Sequence, residues 1–182
     1  MLFAPRRRGR FPSLSLDFLK IKPPNNPWFD FFLSFRDNIA NHFVKKGYIY
    51  DWTWQGLAFE RVCLEHARQI KKALGVAGVA TSVSSWRLPG DGAGRHGAQI
   101  DLVISRADNV TNLCEMKFCQ DEYGIDAEEA GKLRKRVEAF RRETGTKGGI
   151  HLTFVTPYGV KRNKYWNLVQ SEVTLDDLFA DA

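Results

Sequence analysis

Two strand-like runs of this 182-residue chain carry charges where apolar side chains would ordinarily pack: Gln99-Ile100-Asp101-Leu102-Val103-Ile104 and Asn112-Leu113-Cys114-Glu115-Met116-Lys117-Phe118. Strand side chains alternate between faces, so Glu115 and Lys117 share one face and Cys114, Met116 and Phe118 the other. Burying an acid and a base in mid-strand has a desolvation cost that folding alone does not require; the alternative reading is a buried ion-pair network. Whether Asp101 joins them depends on register. A three-residue loop Ala107-Asp108-Asn109 pairs Arg106 with Val110 and sets Asp101 opposite Glu115. A two-residue Asp108-Asn109 turn shifts the pairing by one residue and separates the carboxylates unless a bulge intervenes. Opposed carboxylates repel unless a cation lies between them, and hard oxygen ligands suit Mg²⁺ or Mn²⁺. Such a metal polarises a phosphoryl oxygen and lowers the pKa of a bound water, while Lys117 can orient that water and stabilise developing charge. This is equipment for phosphodiester hydrolysis.

The elements that must position these residues are legible from periodicity. Thr53 is placed to cap a helix from Gln55 to Leu74, with Phe59, Cys63, Leu64, Ala67, Ile70 and Leu74 on one face. Glu60 lies inside that apolar arc, where a carboxylate needs a metal, a proton or a basic partner. Strands are predicted at Val79 to Leu88, Ala98 to Ser105, Val110 to Phe118 and Gly149 to Thr156. Between the last two, Asp126 and Glu129 form a capping-box pattern for a helix to about Glu143, with Ala130, Leu133, Val137 and Phe140 inward. Val173 to Phe179 reads as a strand stub and a short acidic turn. The order α-β-β-β-α-β predicts an α/β domain over 51–182, with a mixed central sheet flanked by helices. Upstream, 1–13 reads as a flexible basic arm. Residues 14–50 read as a strand and an aromatic helix (Trp28, Phe31, Phe32, Phe35, Ile39, Phe43) packing on the core.

The chain has 27 Lys and Arg against 21 Asp and Glu, a net +6, and a pI near 9.3. That excess sits in residues 1–50, with nine basic against three acidic side chains; the remainder balances at 18 against 18. PI is therefore a poor guide to a nucleic-acid surface, and the second helix is a better one. Lys132, Lys135 and Arg136 on it are candidate phosphate contacts, the alternative being a solvated face. No apolar run approaches the roughly 20 residues of a membrane span, and the N-terminus lacks an apolar signal core, so a cytoplasmic protein is expected. Cys63, Cys114 and Cys119 fit reduced core thiols better than a disulfide framework or a zinc site. Gly90 to Gly97 lacks the Lys and hydroxyl of a P-loop, so no triphosphate site is expected.

Asp101, thirteen residues, then Glu115-x-Lys117, on adjacent strands of such a core preceded by helical Glu60, resembles the PD-(D/E)XK nuclease superfamily, with its restriction-endonuclease-like fold. The resemblance implies a metal held by Asp101, Glu115 and the main-chain carbonyl of Met116, often completed by Glu60, with Lys117 serving catalysis. The segments WQGLAFERVCLEHARQIKKALGV, GAQIDLVISRADNVTNLCEMKF and VQSEVTLDDLF are more specifically similar to the C-terminal domain of a group of bacterial and archaeal AAA-type ATP-binding proteins. This likeness runs from about Ser15 to Phe179, without that group's P-loop ATPase and winged-helix parts. It implies a metal-dependent nuclease domain hydrolysing DNA. The alternative is a catalytically silent DNA- or protein-binding module, the detached C-terminal part of an AAA-type ATPase.

Overall fold

The computed structural model describes residues 52–90 and 97–180. The basic arm and the aromatic helix expected upstream lie outside the described residues, as does most of the Gly-rich loop.

The first helical stretch is two helices rather than one, α1 (Trp52–Glu65) and α2 (Ala67–Ala73). Because α1 begins at Trp52, Thr53 lies within the helix and does not cap it. The break falls at His66, whose backbone N–H is shared between the carbonyls of Val62 (3.0 Å) and Cys63 (3.2 Å). The His66 ring also engages the Val62 carbonyl, with Nδ1 at 2.8 Å, a local side-chain contact that competes with regular helix. Phe59, Cys63 and Ile70 are buried as the stripe predicts, whereas Leu64 is 41% exposed and is not a core residue.

Five strands follow, β1 (Thr81–Leu88), β2 (Ala98–Arg106), β3 (Val110–Met116), β4 (Gly149–Val155) and β5 (Ser171–Val173), lying side by side in chain order. β1, β2 and β3 are antiparallel neighbours, while β3, β4 and β5 run parallel. The crossover from β3 to β4 is α3 (Ala127–Thr144), and a short α4 (Leu175–Phe179) closes the described chain. The fold is thus a mixed α/β sheet flanked by helices.

Two cores result. Leu102, Ile104, Cys114 and Met116 meet α1, α2 and α4 through Phe59, Cys63, Ile70 and Leu178. On the other face Val103, Leu113, Leu152 and Phe154 meet α3 through Ala130, Leu133 and Phe140. The alternation along β3 therefore points Glu115 toward α3, since Leu113 already faces that helix.

Two irregularities determine where Asp101 sits. The β2–β3 turn takes the three-residue form, with Asn109 in the left-handed region at φ 63°, an arrangement common in such hairpins. Pairs run from Ser105 with Thr111 to Leu102 with Cys114, the register of the three-residue loop, and the pairing stops one step short of Asp101 and Glu115. On its other side β2 is bulged: Ser84 pairs with Val103 and Trp86 with Ile100, leaving Asp101 and Leu102 opposite the single Ser85. A bulge bends the strand and re-aims its side chains. It also explains how Ile100 and Val103, three residues apart, enter the same core.

Candidate functional site

Glu115 is the penultimate residue of β3, and its side chain is only 8% exposed. A carboxylate so placed needs a cation, and α3 supplies one: Arg136 Nη1 donates to Glu115 Oε1 in a close contact. Lys117 Nζ lies 4.0 Å from Glu115 Oε2 and 3.5 Å from Glu129 Oε1. The Lys117 backbone is held by its N–H bond to the Val155 carbonyl at 3.0 Å, which continues the β3–β4 pairing. Arg136, Glu115, Lys117 and Glu129 thus form an alternating chain of charges between the end of β3 and one face of α3. Burial opposes the Arg136 charge, but the Glu115 bond and the nearby charges of Glu129 and Asp101 outweigh it and keep the guanidinium above its ordinary pKa.

Asp101 is half-buried and accepts a hydrogen bond from Gln99 Nε2 at 2.5 Å. Its charge reaches both faces of the sheet end, adding to the field at Arg136 on α3 and at Glu60 on α1. Burial is the main cause that lifts Glu60 above its ordinary pKa of 4.5; Asp101 and Glu115 lift it further, and Lys117 pulls it back. The four residues singled out from sequence, Glu60, Asp101, Glu115 and Lys117, therefore share one electrostatic neighbourhood. Their carboxylates are not gathered as a ligand set: no three His, Cys, Asp or Glu side chains among the described residues stand grouped to hold a metal ion. Glu115 is turned to Arg136 and Asp101 is bonded to Gln99.

The basic face of α3 differs from expectation at one position. Lys132 is exposed and pairs with Glu128 at 2.7 Å, and Lys135 is exposed. Arg136 is no surface phosphate contact in this arrangement; it points inward to Glu115. The signal for this was present in the spacing, because Glu129, Leu133, Arg136 and Phe140 recur at intervals of four, three and four, one stripe of a helix. Glu129 shows the same effect. Its backbone N–H is capped by Asp126 Oδ1 at 2.8 Å, as the capping box requires, but its carboxylate turns to Lys117.

The cysteines are unpaired, with Cys63 and Cys114 buried in the α1-side core and Cys119 half-buried. Burial, assisted by the Glu115 charge, pushes the Cys114 thiol up to about 12, and burial raises Cys63 as well. Both stay protonated near neutral pH, which makes them poor metal ligands as they stand. His151, on β4 beside Asn112, is half-buried.

Glu60 gives a pH-dependent expectation. A carboxyl whose folded pKa is raised carries no penalty below the unfolded value of 4.5, and costs stability as pH rises through its folded value. Glu60→Gln is therefore expected to raise the thermal midpoint at pH 7 in metal-free buffer, with the gain shrinking toward zero at pH 4. An equal gain at both values would assign the effect to packing.

No family model matches the chain, and no curated protein matches it. Among solved structures, the crystal structure of AF1548, a protein of unknown function, aligns at 19% identity with a TM-score of 0.42. The alignment covers 61% of this chain, which spans 55% of that one. A likeness this slight carries no functional argument.

Proposed function

We propose that this chain is a metal-dependent nuclease-type domain that hydrolyses DNA phosphodiester bonds. The observation that carries the reading is the shared electrostatic neighbourhood of Glu60, Asp101, Glu115 and Lys117, in which burial and, beyond it, the charges of Asp101 and Glu115 raise the proton affinity of Glu60. Carboxylates that hinder one another's ionisation favour a cation among them, and their oxygen donors fit Mg²⁺ or Mn²⁺. Asp101, Glu115 and Glu60 would hold it, with the main-chain carbonyl of Met116. When bound, the metal supplies Lewis-acid polarisation of a phosphoryl oxygen and a more acidic water. Lys117, held between Glu115 and Glu129, would hold the attacking water and balance charge on the phosphoryl oxygens. Lys132 and Lys135, exposed on α3, are the side chains suited to track the DNA backbone. Free thiols fit a reducing, cytoplasmic setting. Among the described residues, no helix is long and apolar enough to cross a membrane.

A second reading has its own observation. Arg136 already supplies Glu115 with a cation, as a catalytically silent DNA- or protein-binding module, working beside an AAA-type ATPase, would require. Cleavage assays on plasmid, linear and branched DNA with Mg²⁺ or Mn²⁺ separate the two. The nuclease reading expects cleavage by the wild-type chain and its loss in Asp101→Asn. Equal activity in both would remove Asp101 from the chemistry, and no cleavage of any substrate would leave the binding module.

A further inference from the structure

We propose that the cavity between the β2–β3 turn and the α3–β4 connection binds the phosphate group of a small phosphate ester, held by Arg106 and Lys147. The site is separate from the charges around Glu115 and needs no metal.

The cavity measures about 560 Å³ and is lined by Ser105, Arg106, Asn109 and Thr111 from the hairpin and by Thr146 and Lys147 after α3. Ser105 and Thr111 are directly opposed on β2 and β3. Alternation from Val103 and Leu113, which meet α3, sets both on the α3 side of the sheet, as it does Glu115. Thr111 and Glu115 are roughly 13 Å apart along the strand, so the cavity and the Glu115 cluster occupy opposite ends of one face. The lining offers hydroxyls, a carboxamide and two cations, and no carboxylate.

Arg106 has donor capacity that the protein does not use. Its side chain is 15% exposed, and Nη2 donates to Asp108 in a close contact. Its Nε–H is buried with no acceptor among the described residues. A guanidinium carries five N–H donors and keeps its charge at ordinary pH, so a buried donor without an acceptor is a standing cost. An oxyanion in the cavity supplies the acceptor once the side chain turns toward it. Lys147 is exposed and makes no ion pair among the described residues. Asp108 is engaged with Arg106 and lies outside the lining, which leaves the two cations and this acid with a net charge of plus one. The carbonyl end of α3 adjoins the cavity, and Arg141 and Arg142 in its last turn oppose its partial negative charge. A phosphate monoester presents three terminal oxygens and about −1.5 to −2 charge at neutral pH. That matches two cations and hydroxyl donors from separate elements, where a carboxylate has one charge and two oxygens. The volume is in the range of small-molecule sites, about 300–1,000 Å³, and leaves room for the organic part of the ester.

The test is an NMR-detected titration of the full chain with inorganic phosphate, ribose 5-phosphate and 5′-AMP, in metal-free buffer with ionic strength held constant by sodium chloride. The backbone amides of Thr111, Thr146, Lys147 and Gly148 are expected to shift saturably, with at least one ester binding more tightly than inorganic phosphate. Lys147→Gln is expected to weaken that ester at least about fivefold, the scale of losing one charge-assisted hydrogen bond. Arg106→Gln should weaken it further. Because that change also removes the Asp108 bond and can disturb the turn, Lys147→Gln, exposed and outside any helix or strand, is the deciding variant. Shifts that do not saturate, that chloride alone reproduces, or that keep the same affinity in Lys147→Gln overturn the proposal. So does a short DNA duplex that moves these amides when neither ester does, which would give the cavity a backbone phosphate instead of a small ligand.

Discussion

Replacing Lys117 by Ala is expected to lower Mg²⁺-dependent DNA cleavage by about 100-fold or more, the scale of removing a positioned group that stabilises transition-state charge. The ammonium stands between Glu115 and Glu129, so it is fixed from both sides before any substrate arrives. Its loss does not leave Glu115 unpaired, since Arg136 remains bonded there. The acid that suffers is Glu129, which faces Lys117 from the first turn of α3, so a modest drop in thermal midpoint should accompany the variant. Metal affinity should hold or rise, because a positive charge beside Glu115 has been removed. Cleavage rate and Mn²⁺ affinity measured on the same preparation check this. A rate within about threefold of wild type would remove Lys117 from the proposed chemistry.

The largest stability effect should come from a residue with no side chain. A Cβ added at Gly148 would stand 2.1 Å from the Asn109 carbonyl oxygen and 3.0 Å from its carbon, inside van der Waals contact with backbone that a rotamer change cannot relieve. The same carbonyl accepts the Gly149 N–H at 2.9 Å, where the parallel pairing of β3 with β4 begins at Val110 and Gly149. Asn109 is itself in the left-handed region, so its turn has little freedom to retreat. Gly148→Ala is expected to destabilise the fold by about 3 kcal/mol, the upper range of overpacking, read as a lower urea midpoint with an unchanged slope. An unaltered midpoint would mean that the turn yields. Because that turn also fixes the hairpin register, which runs to the neighbours of Asp101 and Glu115, a destabilised chain should lose metal binding in parallel with folding.

The sequence narrows the β2–β3 register to two turn forms, and the structure takes the three-residue one, with Asn109 left-handed. The elements were legible because each rests on a local rule: alternation on β3 and the apolar stripe of α3 are short-range features, and the structure follows them. The break at His66 was not, because it depends on where one ring meets the Val62 carbonyl. The bulge at Asp101 was not legible either. It arises from the pairing of β2 with β1, in which Ser85 faces two residues, and nothing local to Asp101 announces it. Arg136 illustrates a different failure. Its spacing from Leu133 and Phe140 sets it on the apolar stripe, half-buried, and apart from the exposed Lys132 and Lys135. A charge on an apolar stripe needs a partner, and the rule that singled out Glu60 on α1 applies equally to Arg136 and Glu129 on α3.

The most direct measurement is anomalous diffraction from crystals of the chain soaked in Mn²⁺. The account predicts a single strong peak between the carboxylates of Asp101 and Glu115, within reach of Glu60. Saturating Mn²⁺ with no peak there would contradict it.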